Sequence, residues 1–195
     1  MKRQAGFNLM ELAVTLALAG LILGIGAPNF WEFRRNNLLT GVANDFLGGI
    51  LSARTEALKR QTPVSLCPSA NPEDADAECS VDSPTGWIVF VDADSDCERD
   101  AGEELLKAQP DIDPGITPDA DGICLSFAAT GFRQVIAGKA TISRALFCDD
   151  RGNEPTSADS TMSYARGVEV QPTGRAAITR TLATISDWSP GVACP

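Results

Sequence analysis

Hydrophobic positions fall into three regimes along the chain. Residues 12–31 carry no formal charge and are apolar around the whole circumference of a helix; about 20 residues at about 1.5 Å each reach about 30 Å, the thickness of a bilayer core. Further on, Leu39, Val42, Ala43, Phe46, Ile50, Ala53 and Ala57 recur at spacings of three and four, which predicts one buried face of a helix over 32–60 that stops near Arg60, before Thr62-Pro63. After Pro63 the pattern changes to short β-type runs separated by Pro, Gly and Asp clusters. Strands are predicted near 64–67, 86–91, 104–108, 125–132, 141–148, 167–171 and 176–182, with polar surface loops at 69–83, 111–122 and 149–160. The fold class expected is α+β: a long N-terminal α-helix, membrane-spanning in its first half and amphipathic in its second, packed on an antiparallel β-sheet head over 61–195.

Within the apolar run, Gly20 and Gly24 form a small-xxx-small pair, and Ala13 and Ala17 form another on an adjacent face. Such pairs let helices approach closely where lipid supplies no hydrophobic drive of its own. Pro28 lacks the amide that bonds four residues back, so a bend or local melting is expected near residues 24–26.

Composition narrows the chemistry. The 195 residues contain 16 Lys and Arg, 26 Asp and Glu and no histidine, for a net charge of −10. Without histidine there is no Ser-His-Asp or Cys-His catalysis and no His-ligated zinc. No glycine loop of the phosphate-cradling type occurs, and nothing in the sequence places two carboxylates around a pocket, so no enzyme and no cofactor are expected. The acidity is uneven: residues 61–124 hold 16 acids and two bases, whereas residues 125–195 hold six acids and seven bases. An anionic partner would meet the second half.

The amino terminus carries the most specific motif. Lys2 and Arg3 precede Gly6-Phe7-Asn8-Leu9-Met10-Glu11, and the apolar run follows rather than precedes this junction, unlike a secretory signal peptide. This stretch resembles the type IV pilin and pseudopilin superfamily, whose leader is a short basic peptide ending in glycine. The resemblance implies a leader over 1–6, cleavage after Gly6 by a prepilin peptidase and methylation of the Phe7 amine. It implies a helix over 7–31 stored in the inner membrane of a Gram-negative bacterium, with the head in the periplasm before transfer to a pilus at the cell surface. A lone carboxylate at Glu11 costs about 2.5 kcal/mol or more in lipid unless paired, and the resemblance pairs it with the amine of a neighbouring subunit. The alternative for Glu11, a helix-start acid at the positive end of the helix dipole, is disfavoured by the motif around it.

In the head, Pro63-Val64-Ser65-Leu66-Cys67-Pro68-Ser69, Gly86-Trp87-Ile88-Val89-Phe90-Val91-Asp92 and Pro172-Thr173-Gly174-Arg175 resemble minor pilins of the FimT/FimU type, which share a fold with the GspH pseudopilins of type II secretion. The function implied is that of a non-catalytic minor pilin, a tip or initiation subunit with other pilins as partners. The alternatives are a DNA receptor for natural transformation and a type II secretion pseudopilin. Six cysteines in an exported chain suggest three disulfides and not a zinc site. The resemblance, with nearest neighbours in sequence, favours Cys67–Cys79 and Cys148–Cys194, leaving Cys97–Cys124. In the DNA reading, Arg175 of Gly174-Arg175 stands where FimT-type proteins carry a Gly-Arg-x-Arg element, although position 177 is alanine. Arg166 and Arg180 are the other candidate phosphate contacts. Finally, Asp92-x-Asp94-x-Asp96 with Glu103 imitates a calcium loop, but Cys97 replaces the turn glycine and the flanks read as strands, which favours an acidic hairpin tip pinned by a disulfide.

Overall fold

Of the stripe that predicts a helix face, Leu39, Ala43, Phe46, Ile50, Ala53 and Ala57 are buried on α1 (Leu9–Arg60), and Val42 is half-buried beside them. The structure is a computed structural model that describes residues 8–82, 84–110 and 112–194, with the backbone alone for 25–29. Gly6 and Phe7, and with them the leader junction, lie outside the described residues. The chain divides into two units, Met1–Asn37 and Leu38–Pro195. α1 ends because Gln61 turns into a left-handed conformation (φ 55°) and its side-chain amide donates to the Leu58 carbonyl at 2.8 Å, ahead of Pro63.

The second unit contains two antiparallel sheets. The first has the order β3 (Leu105–Gln109), β2 (Gly86–Val91), β1 (Val64–Ser69), β5 (Leu125–Phe127), β6 (Arg133–Gln134); the second has β4 (Thr117–Ala120), β7 (Arg144–Cys148), β8 (Met162–Val170), β9 (Ala176–Thr181). Alternation along β1 and β2 explains their nearly continuous apolar reading. Val64, Leu66, Trp87 and Val89 enter the core under α1, whereas Cys67, Ile88 and Phe90 enter a second cluster with the disulfide cysteines Cys97 and Cys124. The second sheet does the same. Phe147, Val168 and Val170 face the α1 core, and Leu146, Cys148 and Ala165 are covered by Ile185 and Trp188, on and just after α2 (Leu182–Ser186), and by Val192.

Several expectations are corrected. Residues 117–120 form a strand where a loop is expected, because Thr117 to Ala120 pair with Cys148 to Ala145 despite a proline and an aspartate. The run 125–132 splits into β5 and a tight turn before β6, with Gly131 at φ 73°. β8 starts at Met162, before the expected 167, and α2 is not anticipated at all. No local melting occurs around residues 24–26, since the backbone is helical through Pro28. Among the described residues, no helix is long and apolar enough to cross a membrane.

Candidate functional site

Three groups of residues bear on function, beginning with the start of α1. Asn8 caps the helix, its Oδ1 accepting from the Met10 amide at 3.3 Å and its carbonyl from the Glu11 amide at 3.0 Å. Glu11 is exposed in the first turn, where the helix dipole favours a negative charge. Around it the helix shows apolar side chains on all sides: Leu9, Met10, Leu12, Leu16, Leu21, Ile22 and Leu23 are each more than half exposed, and so are Phe30, Trp31 and Phe33 further along. A helix that is apolar all round is stable only when something apolar covers it.

The three candidate DNA-contact arginines do not form one surface. Arg166 is a correction: it is 3% exposed, held in the α1-facing side of β8 with its Nε 3.3 Å from Thr40 Oγ1 and Nη1 donating to the Tyr164 and Ala165 carbonyls. Burial lowers its pKa to about 10, and repulsion from Arg180 and Arg151 adds to the effect. Arg180 on β9 is half-buried, with its Nε buried and unpartnered. Arg175 alone is exposed, in the turn between β8 and β9 where the Gln171 amide donates to the Arg175 carbonyl at 2.9 Å. Alternation along strands whose bounds were only partly legible decided this, since Arg166 shares a face with Val168 and Val170.

The acidic tip lies between β2 and β3. Asp92, Asp94 and Asp96 bring carboxylate oxygens within 4.8 Å of one another. Asp92 is fully buried, and its oxygens are engaged: Oδ1 accepts from the Asp96 amide at 3.0 Å, and Oδ2 from the Cys97 amide at 3.2 Å and the Ser65 hydroxyl. Burial raises its pKa, and these three hydrogen bonds act in the opposite direction. Glu103 accepts from the Ala93 and Asp100 amides at 2.8 and 3.1 Å. The carboxylates therefore cap the turn, in which Ser95 and Cys97 have φ of 63° and 62°.

Disulfides join Cys67 to Cys79, Cys97 to Cys124 and Cys148 to Cys194. The second fastens the acidic tip to the start of β5, and the third fastens the C-terminal cover to β7. A groove lined by Phe46, Trp87, Ile112, Ile142, Ala145 and Phe147 has Asp119 as its single ionisable lining residue among the described residues, and that carboxylate accepts from the Ala120 and Ala193 amides at 2.9 Å.

The family model described as type II transport protein GspH matches residues 42–174. Two crystal forms of the Pseudomonas aeruginosa PAO1 type IV minor pilin FimU are similar in structure. One is 14% identical over 75% of this chain and 92% of that chain, with a TM-score of 0.47. The other is 13% identical over 72% and 92%, with a TM-score of 0.42. No curated protein matches the chain.

Proposed function

Because the chain belongs to the GspH family of type II transport proteins, a family of pilin-type subunits, we propose that it is a minor pilin, a non-catalytic subunit that joins a filament tip or initiation complex. The observation that carries this reading is the apolar exterior of the first part of α1, at Leu9 to Leu23 and again at Phe30, Trp31 and Phe33, which a single chain leaves uncovered. Lipid covers it before assembly, as the uncharged sequence over 12–31 suggests, and the helices of other pilins cover it afterwards. A prepilin peptidase removes residues 1–6 at the cytoplasmic face and methylates Phe7. Glu11 then pairs with the Phe7 amine of a neighbour, which stays cationic after methylation. That pairing removes the cost of an isolated carboxylate among apolar helices. The head meets partner pilins in the periplasm and on the filament.

The test is the mass of the mature chain together with its place in the cell. A chain beginning at methylated Phe7 and recovered with sheared filaments is expected. A chain that keeps Met1, or that never leaves the membrane fraction in cells making filaments, overturns the reading. The family description favours a second reading, a type II secretion pseudopilin. Crosslinking in cells separates the two by whether pilus or secretion subunits are captured.

A further inference from the structure

The uncharged run of α1 ends on a cluster of aromatic side chains and one arginine. Residues 12–31 lie between the charges of Glu11 and Glu32. About 20 residues at about 1.5 Å each put Trp31 about 30 Å from the start of the run, the thickness of a bilayer core. Phe30, Trp31 and Phe33 stand at that end, each more than half exposed. Arg34 is exposed one turn beyond, at the i+4 position from Phe30 and the i+3 position from Trp31, where helix side chains meet. Its guanidinium carbon lies 5.9 Å from the centre of the Trp31 ring, within reach of a cation–π contact. Arg34 forms no ion pair among the described residues. Its charge is therefore held beside a ring, with a planar fork of N–H donors that matches an oxyanion such as phosphate. Along the helix axis, rings that suit the edge of the hydrocarbon come first, and a cation that suits a phosphate layer follows about 5 Å further on.

We propose that Phe30, Trp31, Phe33 and Arg34 form an interfacial anchor, with the rings at the edge of the hydrocarbon and Arg34 on the phosphate of a phospholipid headgroup at the periplasmic boundary. This rests on the membrane-stored subunit reading above. A lipid layer fits these side chains better than a protein groove does. A groove covers one face of a helix, whereas the residues leading to the cluster, Leu12, Leu16, Leu21, Ile22 and Leu23, are exposed on all sides. Aromatic rings at the end of a roughly 20-residue uncharged run, followed by the charges of Glu32, Arg34 and Arg35, reproduce the order of groups across a membrane–water boundary. The anchor fixes how far the helix sinks. It thereby holds Glu11, at the other end of the run, near the opposite boundary, where a carboxylate costs less than at the bilayer centre.

Depth-dependent quenching of tryptophan fluorescence tests the anchor. The full chain is placed in vesicles of phosphatidylglycerol and phosphatidylcholine whose acyl chains carry bromine either near the glycerol ester or near the chain end. Trp87 and Trp188 are buried in the head, so lipid-borne bromine reaches Trp31 alone. Shallow bromine should quench at least about twofold more than deep bromine, and Trp31→Phe should lose the lipid-dependent quenching. Arg34→Gln should bring the ratio towards one, because the ring then has no phosphate contact to fix its depth. Equal or stronger quenching by deep bromine in the parent overturns the interfacial placement. A ratio that survives Arg34→Gln overturns the phosphate contact. Vesicle-bound chain in which neither bromine quenches Trp31 means that a second copy covers the ring, and that also overturns the anchor. A parent chain that does not float with the vesicles fails the membrane-stored reading itself and takes the anchor with it, so flotation separates that failure from a failure of the anchor alone.

Discussion

Arg54 on α1 donates from Nη1 to the carbonyl of Gly174 at 3.1 Å, joining residues 120 positions apart and tying the helix to the turn between β8 and β9. The turn approaches closely on its other side as well. Gly174 sits at φ 77°, and a Cβ there would lie 2.3 Å from the Gly131 carbonyl oxygen in the β5–β6 turn. Two turns from two different sheets thus meet at a pair of glycines.

Replacing Gly174 by alanine should therefore destabilise the head on two counts, left-handed backbone and backbone overlap. A loss of about 2–4 kcal/mol is expected, read as a fall of about 4–10 °C in melting temperature. Arg54→Ala, which removes one tie and leaves the glycine contact, should cost less. If Gly174→Ala melts within 1 °C or so of the parent, the close approach of the two turns is wrong.

That glycine marks the boundary of what the sequence could convey. Gly174-Arg175 stands out as a motif, but the reason for the glycine lies in Gly131, far away along the chain and silent without the fold. The helix to Arg60, the strands at 64 and 86 and the buried stripe were legible because one period or one alternation fixed them. β4 was not, since Pro118 and Asp119 carry the chemistry of a loop and only pairing with β7 makes them a strand. α2 is short, and its identity depends on the outer face of the second sheet, which Ile185 covers. Arg166 failed for the same reason: it precedes the strand expected at 167–171, and only the longer β8 and its alternation place it on the face of Val168.

The three disulfides close loops of different size, with sequence separations of 12, 27 and 46. If constraint of the unfolded chain dominates, removing Cys148–Cys194 should cost about 1 kcal/mol more than removing Cys67–Cys79, within a typical range of about 2–5 kcal/mol each. Paired Cys→Ser variants compared by calorimetry give the order. Equal losses, or a larger loss at Cys67–Cys79, would show that local packing around Cys67 outweighs loop entropy.

Acid should loosen the end of α1 before it loosens the acidic tip. Arg60 bonds Glu56 through Nε at 2.7 Å and Glu104 through Nη1 at 2.6 Å, and these hydrogen bonds hold both carboxyls below their usual range. Groups with lowered folded pKa stabilise above their unfolded value of 4.5, and this is lost as pH falls through the folded value. Asp92 has the opposite sign. Burial raises its pKa, so its contribution is present at low pH and is lost as pH rises through the raised value. The melting gap between the parent and Arg60→Gln should accordingly be open at pH 7 and close as the pH drops below about 4. A gap that stays constant across that range would mean the ion pairs are carried by packing of the Arg60 stem, not by charge.

Gel shifts with duplex DNA should show no retention of the full chain in detergent at about 150 mM salt. Nucleic-acid affinity at that ionic strength comes from several phosphate contacts acting together, and this head offers few. Arg166 is buried under α1, Arg180 is half-buried, and Arg175 stands exposed beside alanines on a protein of net charge −10. At low salt a weak band is expected from Arg175 and its surroundings, and it should fade within a few-fold rise in salt, because a small number of contacts gives a shallow slope from a low starting affinity. Retention at 150 mM that disappears in Arg175→Ala would reverse this argument: the turn where β8 and β9 meet would then be a phosphate contact, and the receptor reading would replace the purely structural one.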